Sequence, residues 1–437
     1  MKLIETAGPA TKMRARKAAE TIAALEARGG TSLENVLPAV RRIVSDVRRG
    51  GDRALLKYAK KFDGLADASA LRIGEDEMAA AWDACDAEMR AALTVAAGQI
   101  RAFAERQMPQ SWTQSGSDAP IAGLVTGQLV RPLDAVGCYV PSGRHPLPST
   151  LLMTAIPAQV AGVERIVAVS PKPARESLAA AHLLGIREFY RVGGAHAVAS
   201  LAYGTASVER VDKIVGPGNL FVTAAKKLVA FDCAIDMLAG PTEIVVTSER
   251  GTAAEIASDL VAQAEHDPEA LAIFITTRKA LAEAVIAEAK ERAHDNAVAR
   301  EALKRNGVVI VATTLDEARE LTNRIAPEHL TVDSSEDLKW VRNAGSVFVG
   351  RWSAQPMGDY ISGPNHTLPT GGLARVRGGL SVNDFVKLIT VQEYDAAAMQ
   401  ELGPKAVLLA EAEGLTAHAQ AVRVRLKKAV PGRKKNG

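Results

Sequence analysis

Short runs of β-branched and aliphatic residues alternate with helical segments through most of this 437-residue chain. They form two successive series, and each run leads into a turn of small residues and then a helix. In chain order the runs are 135–140, 165–170, 188–192, 211–215, 243–247, 271–276, 307–311, 329–332 and 346–349. Because successive βα units form parallel sheets with helices on both faces, we predict an α/β fold with two Rossmann-like, mainly parallel sheets. Ligands of such sheets bind beyond the carboxyl ends of the strands.

The regions around these runs carry helical patterns. We predict a helical N-terminal extension over 1–27, a first α/β domain formed by 28–134 and 243–384, and a second α/β domain over 135–242. The last section, 385–437, is predicted to be a helical unit interrupted at Gly403-Pro404. A unit of this size buries little core of its own, so we expect it to dock on another domain or another subunit.

Charge and cysteine content argue against several classes of protein. The 53 basic and 50 acidic residues nearly balance and aromatics make up only 4% of the chain, which does not favour a nucleic-acid partner. Cys85, Cys138 and Cys233 form no CxxC pair, so a metal ion would bind through nitrogen and oxygen ligands. The chain starts without an apolar signal segment, and its longest apolar stretch, 151–163, is too short to cross a bilayer. We therefore expect a cytoplasmic protein that does not bind membranes.

Acidic and imidazole side chains concentrate in the C-terminal half. Glu328 and His329 are adjacent at the start of a predicted strand, where a carboxylate can tune an imidazole that titrates near neutrality. His266, His366 and His418 lie in other polar settings, which suggests one assembled site. The pattern is typical of proton-transfer chemistry.

Two segments carry potential metal ligands. Gln263 and His266 are three residues apart near the end of a predicted helix, so they share one face and can converge on an ion. Taken alone, this segment is better explained as an ordinary helix C-terminus, where His stabilises the macrodipole. Asp359 and His366 lie in a loop rich in Gly and Pro, which either turns the chain or holds a site. The pattern does not decide between these two.

Glycine-containing turns follow three runs of the first series, at 139–143, 193–196 and 215–221. Turns of this kind can present backbone N–H groups to a phosphate. The second and third do not match GxGxxG, so a tight βα turn is the simpler interpretation and dinucleotide binding stays open. Cys138, beside the first turn, is interpreted as a small buried hydrophobe rather than a nucleophile.

Together these motifs resemble the histidinol dehydrogenase family along nearly the whole chain. The matching motifs are Tyr139-Val-Pro with Pro148-Ser-Thr, Gly193-Gly-Ala, Gly216-Pro-Gly-Asn, Asp236-Met with Ala239-Gly-Pro, Gln263-Ala-Glu-His, Ala326-Pro-Glu-His-Leu, Gly358-Asp-Tyr, Asn365-His-Thr-Leu-Pro-Thr-Gly-Gly, and Glu413 with Ala417-His418. The resemblance implies a zinc-dependent, domain-swapped homodimer. It further implies that an amino alcohol is oxidised through an aldehyde to L-histidine, with two NAD⁺.

The same resemblance assigns roles to individual residues. His329 would take the proton of the alcohol, and Glu328 would activate the water that hydrates the aldehyde. The implied zinc ligands are Gln263, His266, Asp359 and His418, the last from the partner subunit. The implied substrate contacts are Thr242, Gln263, His266, His329, Asp359, His366, Glu413 and His418. The implied NAD⁺ contacts are Tyr139, His196 and Asn219.

Some positions depart from the usual family pattern. His196 replaces a Gln near the cofactor, Thr242 replaces a Ser at the substrate, and Phe221 stands where Tyr is common. Pro364 and Val376-Arg-Gly-Gly are also atypical. These changes leave the metal and acid/base residues intact, so they bear on substrate identity and cofactor geometry.

Three alternatives are weighed against this hypothesis. A paralogous NAD-dependent dehydrogenase would oxidise another small diol or amino alcohol, such as a sulfopropanediol; Thr242 argues for it, whereas Asp359, Glu413 and His418 favour histidinol. A metal-dependent hydrolase would use similar ligands without NAD⁺, and the glycine-containing turns argue against it. A non-catalytic binding protein would have no reason to keep the whole polar set.

Overall fold

The computed structural model describes residues 1–6, 12–29, 32–142 and 147–426. The strands in these ranges are short, and most follow a helix and lead into another. In chain order they are β1 (Lys2–Glu5), β2 (Arg72–Ile73), β3 (Trp112–Gln114), β4 (Leu124–Pro132), β5 (Ala135–Tyr139), β6 (Arg165–Val169), β7 (Glu188–Tyr190), β8 (Lys213–Val215), β9 (Ala234–Ile235), β10 (Glu243–Thr247), β11 (Leu271–Thr276), β12 (Val308–Val311), β13 (His329–Val332), β14 (Ser346–Val349) and β15 (Val386–Tyr394).

The α-helices alternate with these strands through most of the chain. They are α1 (Lys12–Glu26), α2 (Leu37–Gly50), α3 (Asp52–Tyr58), α4 (Glu75–Asp83), α5 (Ala87–Arg106), α6 (Pro148–Ala161), α7 (Arg175–Leu183), α8 (Gly194–Tyr203), α9 (Leu220–Val229), α10 (Ala253–Ala264), α11 (Lys279–Arg292), α12 (Ala297–Asn306), α13 (Leu315–Ile325), α14 (Gln355–Tyr360), α15 (Ala396–Ala412) and α16 (Thr416–Leu426). Among the described residues, no helix has the length and apolar character needed to cross a membrane.

The chain divides into two compact units, the first formed by Met1–Met108 with Leu133–Phe385 and the second by Pro109–Pro132 with Val386–Gly437. The first unit contains two six-stranded sheets, ordered β1-β12-β11-β10-β13-β14 and β2-β7-β6-β5-β8-β9. All pairings are parallel except that of β2 with β7. The predicted α/β fold with two mainly parallel sheets is confirmed. Each predicted run forms a strand whose ends lie within two residues of the expected position.

The sheets of the first unit are covered on both faces, which explains their continuous apolar runs. In the first sheet, Val246 and Phe274 pack into the core on one face. Their neighbours Val245, Ile273 and Ile275 pack into a separate core on the other face. Successive side chains of a strand point to opposite faces, so a strand buried on both sides must be apolar at every position.

Residues 28–134 were predicted to belong to the first α/β domain, together with 243–384, but they do not join its sheet. Helix α2, with its buried stripe of Val40, Ile43, Val44 and Val47, packs against α8 and α9 beside the second sheet. Helices α4 and α5 pack against α7 and α6, and β2 joins the second sheet. An amphipathic pattern shows which face of a helix is buried but not which sheet covers it.

The predicted N-terminal extension, 1–27, is not wholly helical. Its β1 pairs in parallel with β12 at the edge of the first sheet. A four-residue edge strand lacks the length that makes a pattern readable, and only its pairing with β12 defines it.

The second unit, taken by itself, combines an antiparallel sheet β15-β4-β3 with the packed helices α15 and α16. The prediction of a wholly helical section over 385–437 is wrong at Val386–Tyr394, which pairs with β4 along its full length. The predicted interruption at Gly403-Pro404 is also wrong, because α15 continues through both residues. The strand was missed because its partner lies far away in the sequence.

Truncation of a buried side chain tests the assigned core of the first sheet. Phe274 is fully buried in the first sheet, so Phe274→Ala should reduce the free energy of unfolding by about 3–5 kcal/mol. Phe231 is fully exposed in the single chain, and Phe231→Ala is the matched control, with an expected change within about 0.5 kcal/mol. Urea unfolding followed by circular dichroism measures both variants. Equal losses would contradict the assigned core.

Candidate active site

A cavity of about 200 Å³ lies between the two sheets of the first unit. One side is formed by Gly216 and Pro217, which follow β8 at the carboxyl edge of the second sheet. The other side includes Thr242 and Glu328, which directly precede β10 and β13 at the amino edge of the first sheet. The second sheet therefore offers its carboxyl edge, as expected for an open parallel sheet. The first sheet contributes its amino edge, contrary to that expectation.

A hydrogen-bond chain joins three of the predicted site residues. Thr242 Oγ1 donates to Glu328 Oε2 at 2.7 Å and accepts a hydrogen bond from Gln263 Nε2. The hydroxyl gives its only proton to the carboxylate, so it must face the NH₂ group of the amide, which fixes the amide orientation. Gln263 is only 1% exposed, and its Oε1 is buried without a hydrogen-bond partner. An unpaired carbonyl oxygen of a side chain that lines a cavity is suited to a metal ion.

The Glu328 carboxylate is held from a second direction. The backbone N–H of Glu243 donates to the same Oε2 at 2.7 Å. The Glu243 side chain in turn accepts two hydrogen bonds from Arg28, at 2.8 and 2.6 Å. Arg28 and Glu243 were not identified from the sequence. The available signal was a Glu at the first position of a predicted buried strand, since a buried carboxylate requires a partner.

His329 begins β13 and is almost completely buried. Its Nδ1 lies 3.1 Å from the carbonyl oxygen of Glu243. A carbonyl can only accept, so Nδ1 carries the hydrogen, and Nε2 is the nitrogen that can take up a proton. Burial lowers the pKa of His329, but the charges of Glu328 and Asp359 outweigh it and raise the pKa to about 10. A cation bound at Asp359 would oppose this rise.

Local backbone geometry places Glu328 and His329. Ala326 is the one non-glycine residue with positive φ, 52°, among the described residues. This left-handed conformation costs on the order of 1 kcal/mol for an L residue and turns the chain from α13 towards Glu328 and His329. The ring of Phe348 stacks on His329 with centroids 6.0 Å apart. The same ring requires a glycine at 358, where a Cβ would lie 2.6 Å from it.

Asp359 lies on α14, so part of the segment predicted as a loop is a short helix. Gln355 Nε2 donates to Asp359 Oδ2 at 3.0 Å, and the Nε2 of His329 lies 3.8 Å from Oδ1. Burial raises the pKa of Asp359, but the nearby ring of His329 lowers the pKa below its usual value. The ionised carboxylate that results is the form that binds metal ions.

His366 contacts the backbone of Asp359. Its Nδ1 lies 2.9 Å from the carbonyl oxygen of Asp359, and its Nε2 lies 3.4 Å from Thr150 Oγ1. Burial lowers the pKa of His366 below its usual value. Both His366 and Thr150 line the cavity.

The predicted metal ligands are only partly brought together. Gln263, His266 and Asp359 line the same cavity, and His266 is exposed. Across the described ranges, no three His, Cys, Asp or Glu side chains are grouped so that they could hold a metal ion. Glu413 and His418 belong to the second unit, where both are exposed.

The predicted cofactor residues lie at the switch point of the second sheet. Strand β5 has β6 on one side and β8 on the other, and ligands of open sheets bind at such a reversal. Tyr139 ends β5, and Gly216 directly follows β8. The backbones are so close here that a Cβ added at Gly216 would lie 2.2 Å from the Tyr139 carbonyl oxygen. Asn219 caps α9 by accepting hydrogen bonds from the N–H groups of Phe221 and Val222.

Backbone N–H groups of these turns are bonded within the protein. Gly194 N–H donates to Tyr139 Oη at 3.0 Å, and Gly216 N–H donates to Asp236 Oδ2 at 2.7 Å. Asp236 also forms a buried ion pair with Lys226. Because the Gly194 and Gly216 N–H groups already have partners in the protein, these segments are better explained as tight βα turns than as loops that bind a phosphate directly. Lys226 was not predicted, because nothing in its apolar helix indicates a partner.

Two further predictions concern the buried side chains of Cys138 on β5 and His196 on α8. Cys138 is fully buried, and burial raises the pKa of its thiol to about 12, so the interpretation as a small hydrophobe is confirmed. His196 is only 2% exposed, and its Nε2 lies 2.6 Å from Asp63 Oδ2. That nitrogen already has a hydrogen-bond partner inside the protein. Nε2 is therefore not available to the cofactor, and the contact of His196 with NAD⁺ that the resemblance implied stays a prediction.

Known proteins share both the sequence and the fold. A family model described as histidinol dehydrogenase matches residues 26–426. Histidinol dehydrogenase of Geobacillus kaustophilus is 46% identical over 422 residues, covering 92% of this chain and 98% of that protein. The enzyme of the same name from Methanothermobacter thermautotrophicus is 44% identical over 423 residues, covering 93% and 97%.

The solved structure of histidinol dehydrogenase from Elizabethkingia anophelis matches with a TM-score of 0.88 at 33% identity, covering 98% of both chains. The range that the family model matches includes both sheets apart from β1, and the parts of the chain that line the cavity. This chain therefore belongs to the histidinol dehydrogenase family of NAD-dependent dehydrogenases.

Proposed function

We propose that the enzyme oxidises L-histidinol through L-histidinal to L-histidine, with two NAD⁺. The observation that carries this proposal is one cavity, beside the switch point of the second sheet, that combines the unpaired Gln263 oxygen, the ionised Asp359 and the anchored Glu328. NAD⁺, when bound, supplies the hydride acceptor for each oxidation.

His329 is the proposed base for the alcohol step. Its Nδ1 donates to the Glu243 carbonyl, so Nε2 is the nitrogen that would accept the hydroxyl proton as the hydride departs. This role requires that a cation bound at Asp359 offset the carboxylate charges that raise the pKa of the ring. The stacked Phe348 ring and the start of β13 hold the imidazole in place. A base on a rigid strand needs little reorganisation before it reacts.

Glu328 is proposed to activate the water that hydrates the aldehyde. Thr242 Oγ1 and the Glu243 N–H both bind Oε2, so the carboxylate cannot rotate freely. The hydrated aldehyde is again an alcohol, so His329 can serve the second oxidation in the same pocket. Two steps at one pair of residues require little release of the intermediate.

We propose zinc ligation by Gln263, His266 and Asp359, with His418 of the partner subunit as fourth ligand. The residues present fit the ion, because Gln263 Oε1 is buried and unpaired and Asp359 is ionised. All are nitrogen or oxygen ligands, and all three cysteines are buried and free. Bound zinc would orient the amine and imidazole of the substrate.

The remaining contacts follow from the same geometry. His366 and Thr242 line the cavity and are proposed to face the substrate, together with Glu413 of the partner subunit. Thr242 keeps the hydroxyl of the usual Ser and uses it to orient Glu328 and Gln263. This departure therefore does not favour a different diol. Tyr139 and Asn219 are proposed to contact NAD⁺ at the switch point.

A domain-swapped homodimer is proposed because of the surface of the second unit. Leu408 and Leu409 are 67% and 68% exposed, and Leu388 and Ile389 of β15 are also exposed. Burying apolar surface of this kind contributes about 25 cal/mol per Å². The same unit carries the exposed His418, so docking on a second copy would bring this side chain to the partner's site.

The reaction is tested with limiting substrate. Each molecule of L-histidinol should yield two molecules of NADH with little free aldehyde, and a tight zinc chelator should abolish the yield until zinc is restored. A panel of small diols, including a sulfopropanediol, is the control for specificity. A yield of one NADH, or preference for a diol without an imidazole, would identify a paralogous dehydrogenase instead.

Subunit exchange tests the composite site. His418→Ala and His329→Ala are each expected to be inactive, but a mixed dimer has one site with both defects and one with neither. Random exchange makes about half of the dimers mixed, so about a quarter of wild-type activity should return. Mass spectrometry confirms the exchange. Exchange without recovered activity would show that His418 acts within its own chain.

A further inference from the structure

Building on the proposed function, we infer that Asp63 is a positioning residue for NAD⁺ binding. It acts through the Gly193-Gly194 turn and the His196 ring, and it does not itself touch the dinucleotide. Asp63 was not among the residues that the sequence pointed to, because it lies far along the chain from the three turns at 139–143, 193–196 and 215–221.

The Asp63 carboxylate makes two buried hydrogen bonds with one oxygen. Its Oδ2 accepts from the Gly193 N–H at 3.0 Å and lies 2.6 Å from His196 Nε2. Both side chains are buried. A carboxylate can only accept, so His196 must present Nε2–H to it. Losing one member would leave the other partners buried and unsatisfied.

A distorted turn of helix brings Asp63 to this position. Helix α3 continues into a π-helical turn, Ala59–Asp63, which ends at Gly64 with φ of 75°. Turns of this type widen a helix locally and are frequent at functional sites. The ring of Phe62 stacks on Tyr58 at 5.9 Å, and the His196 ring lies 6.2 Å from both. The aromatic rings hold the imidazole while Asp63 fixes its Nε2.

These contacts extend to the switch point of the second sheet. The turn that Asp63 holds also donates the Gly194 N–H to Tyr139 Oη at 3.0 Å. Tyr139 ends β5, beside the crevice where the dinucleotide is proposed to bind. If Asp63 no longer held the Gly193-Gly194 turn, Tyr139 would be disturbed as well. Glu328 and His329 on the first sheet make no hydrogen bond or ion pair to this turn within the described residues.

The contact with Asp63 also gives a role to His196, which stands where the family usually has Gln. A Gln at this position carries a side-chain N–H that could reach Asp63, but it could not pack as an aromatic ring against Tyr58 and Phe62. His196→Gln should therefore weaken NAD⁺ binding less than His196→Leu, which removes the donor.

The experiment measures NADH binding directly, by fluorescence titration without histidinol, together with steady-state kinetics. Asp63→Ala should raise the NADH dissociation constant and the KM for NAD⁺ about tenfold or more, because the buried Gly193 N–H and His196 ring would be left without their acceptor. The kcat at saturating NAD⁺ and the KM for histidinol should stay within about threefold. Asp232→Ala is the control, since Asp232 accepts from Tyr203 Oη in the same sheet layer, away from the turn.

Asp63→Asn and His196→Leu decide the outcome if Asp63→Ala does not fold. Unchanged NADH binding in both would overturn the inference, as would a fall in kcat for histidinol that matches the loss of NADH affinity, because a general loss of structure would affect both sites. Wild-type enzyme that fails to bind NADH would overturn the proposed function itself. Wild-type enzyme that binds NADH while the variants bind it equally well would overturn only the role of Asp63.

Discussion

The one hydroxyl proton of Thr242 determines how two functional groups at the site are oriented. Glu328 takes that proton, so the oxygen can only accept from Gln263 Nε2, and the Gln263 carbonyl oxygen must point elsewhere. Leaving a buried carbonyl without a partner costs about 1–3 kcal/mol. Coordination of a cation would offset that cost. The same hydroxyl thus couples the group proposed to activate water to a group proposed to bind zinc.

The two sheets contribute opposite edges to this arrangement. The second sheet offers the carboxyl ends of β5 and β8, where the chain order reverses and where a dinucleotide is proposed to bind. The first sheet offers residues at the amino ends of β10 and β13. Side chains at the ends of paired strands are held more rigidly than side chains on loops. The ion pair of Arg28 with Glu243 further fixes the start of β10, whose N–H and carbonyl contact Glu328 and His329.

The sequence predicted nine of the twelve described strands of the two mainly parallel sheets, because residues buried on two faces must be apolar without interruption. It did not predict the short edge strands β1, β2 and β9. It did not predict which sheet covers α2, since an amphipathic stripe such as Val40 to Val47 fits any apolar surface. It also missed β15, whose pairing with β4 joins distant parts of the chain. Only long-range contacts define such elements.

At the site, the spacing of Gln263 and His266 and the adjacency of Glu328 and His329 were readable because the residues are close in sequence. Contacts made across the fold were not. Nothing near Asp63 indicates that it holds a glycine turn more than a hundred residues away. Likewise, nothing in helix α9 indicates that Lys226 donates to the carbonyl oxygen of Gly216, just after β8. The inward orientation of His196 depends on Asp63 in the same way, so its side chain could not be assigned from the motif alone.

The most direct test of this account is the zinc affinity of Thr242 variants, measured by titration with a competing chelator. Thr242→Val keeps the shape of the side chain but removes the hydroxyl, so Gln263 can rotate and zinc affinity should fall about 10- to 100-fold. Thr242→Ser keeps the hydroxyl and should bind zinc almost as tightly as the wild type. Equal zinc affinity in the Val variant and the wild type would contradict the account, because the Gln263 oxygen would then not need the Thr242 hydroxyl to face the ion.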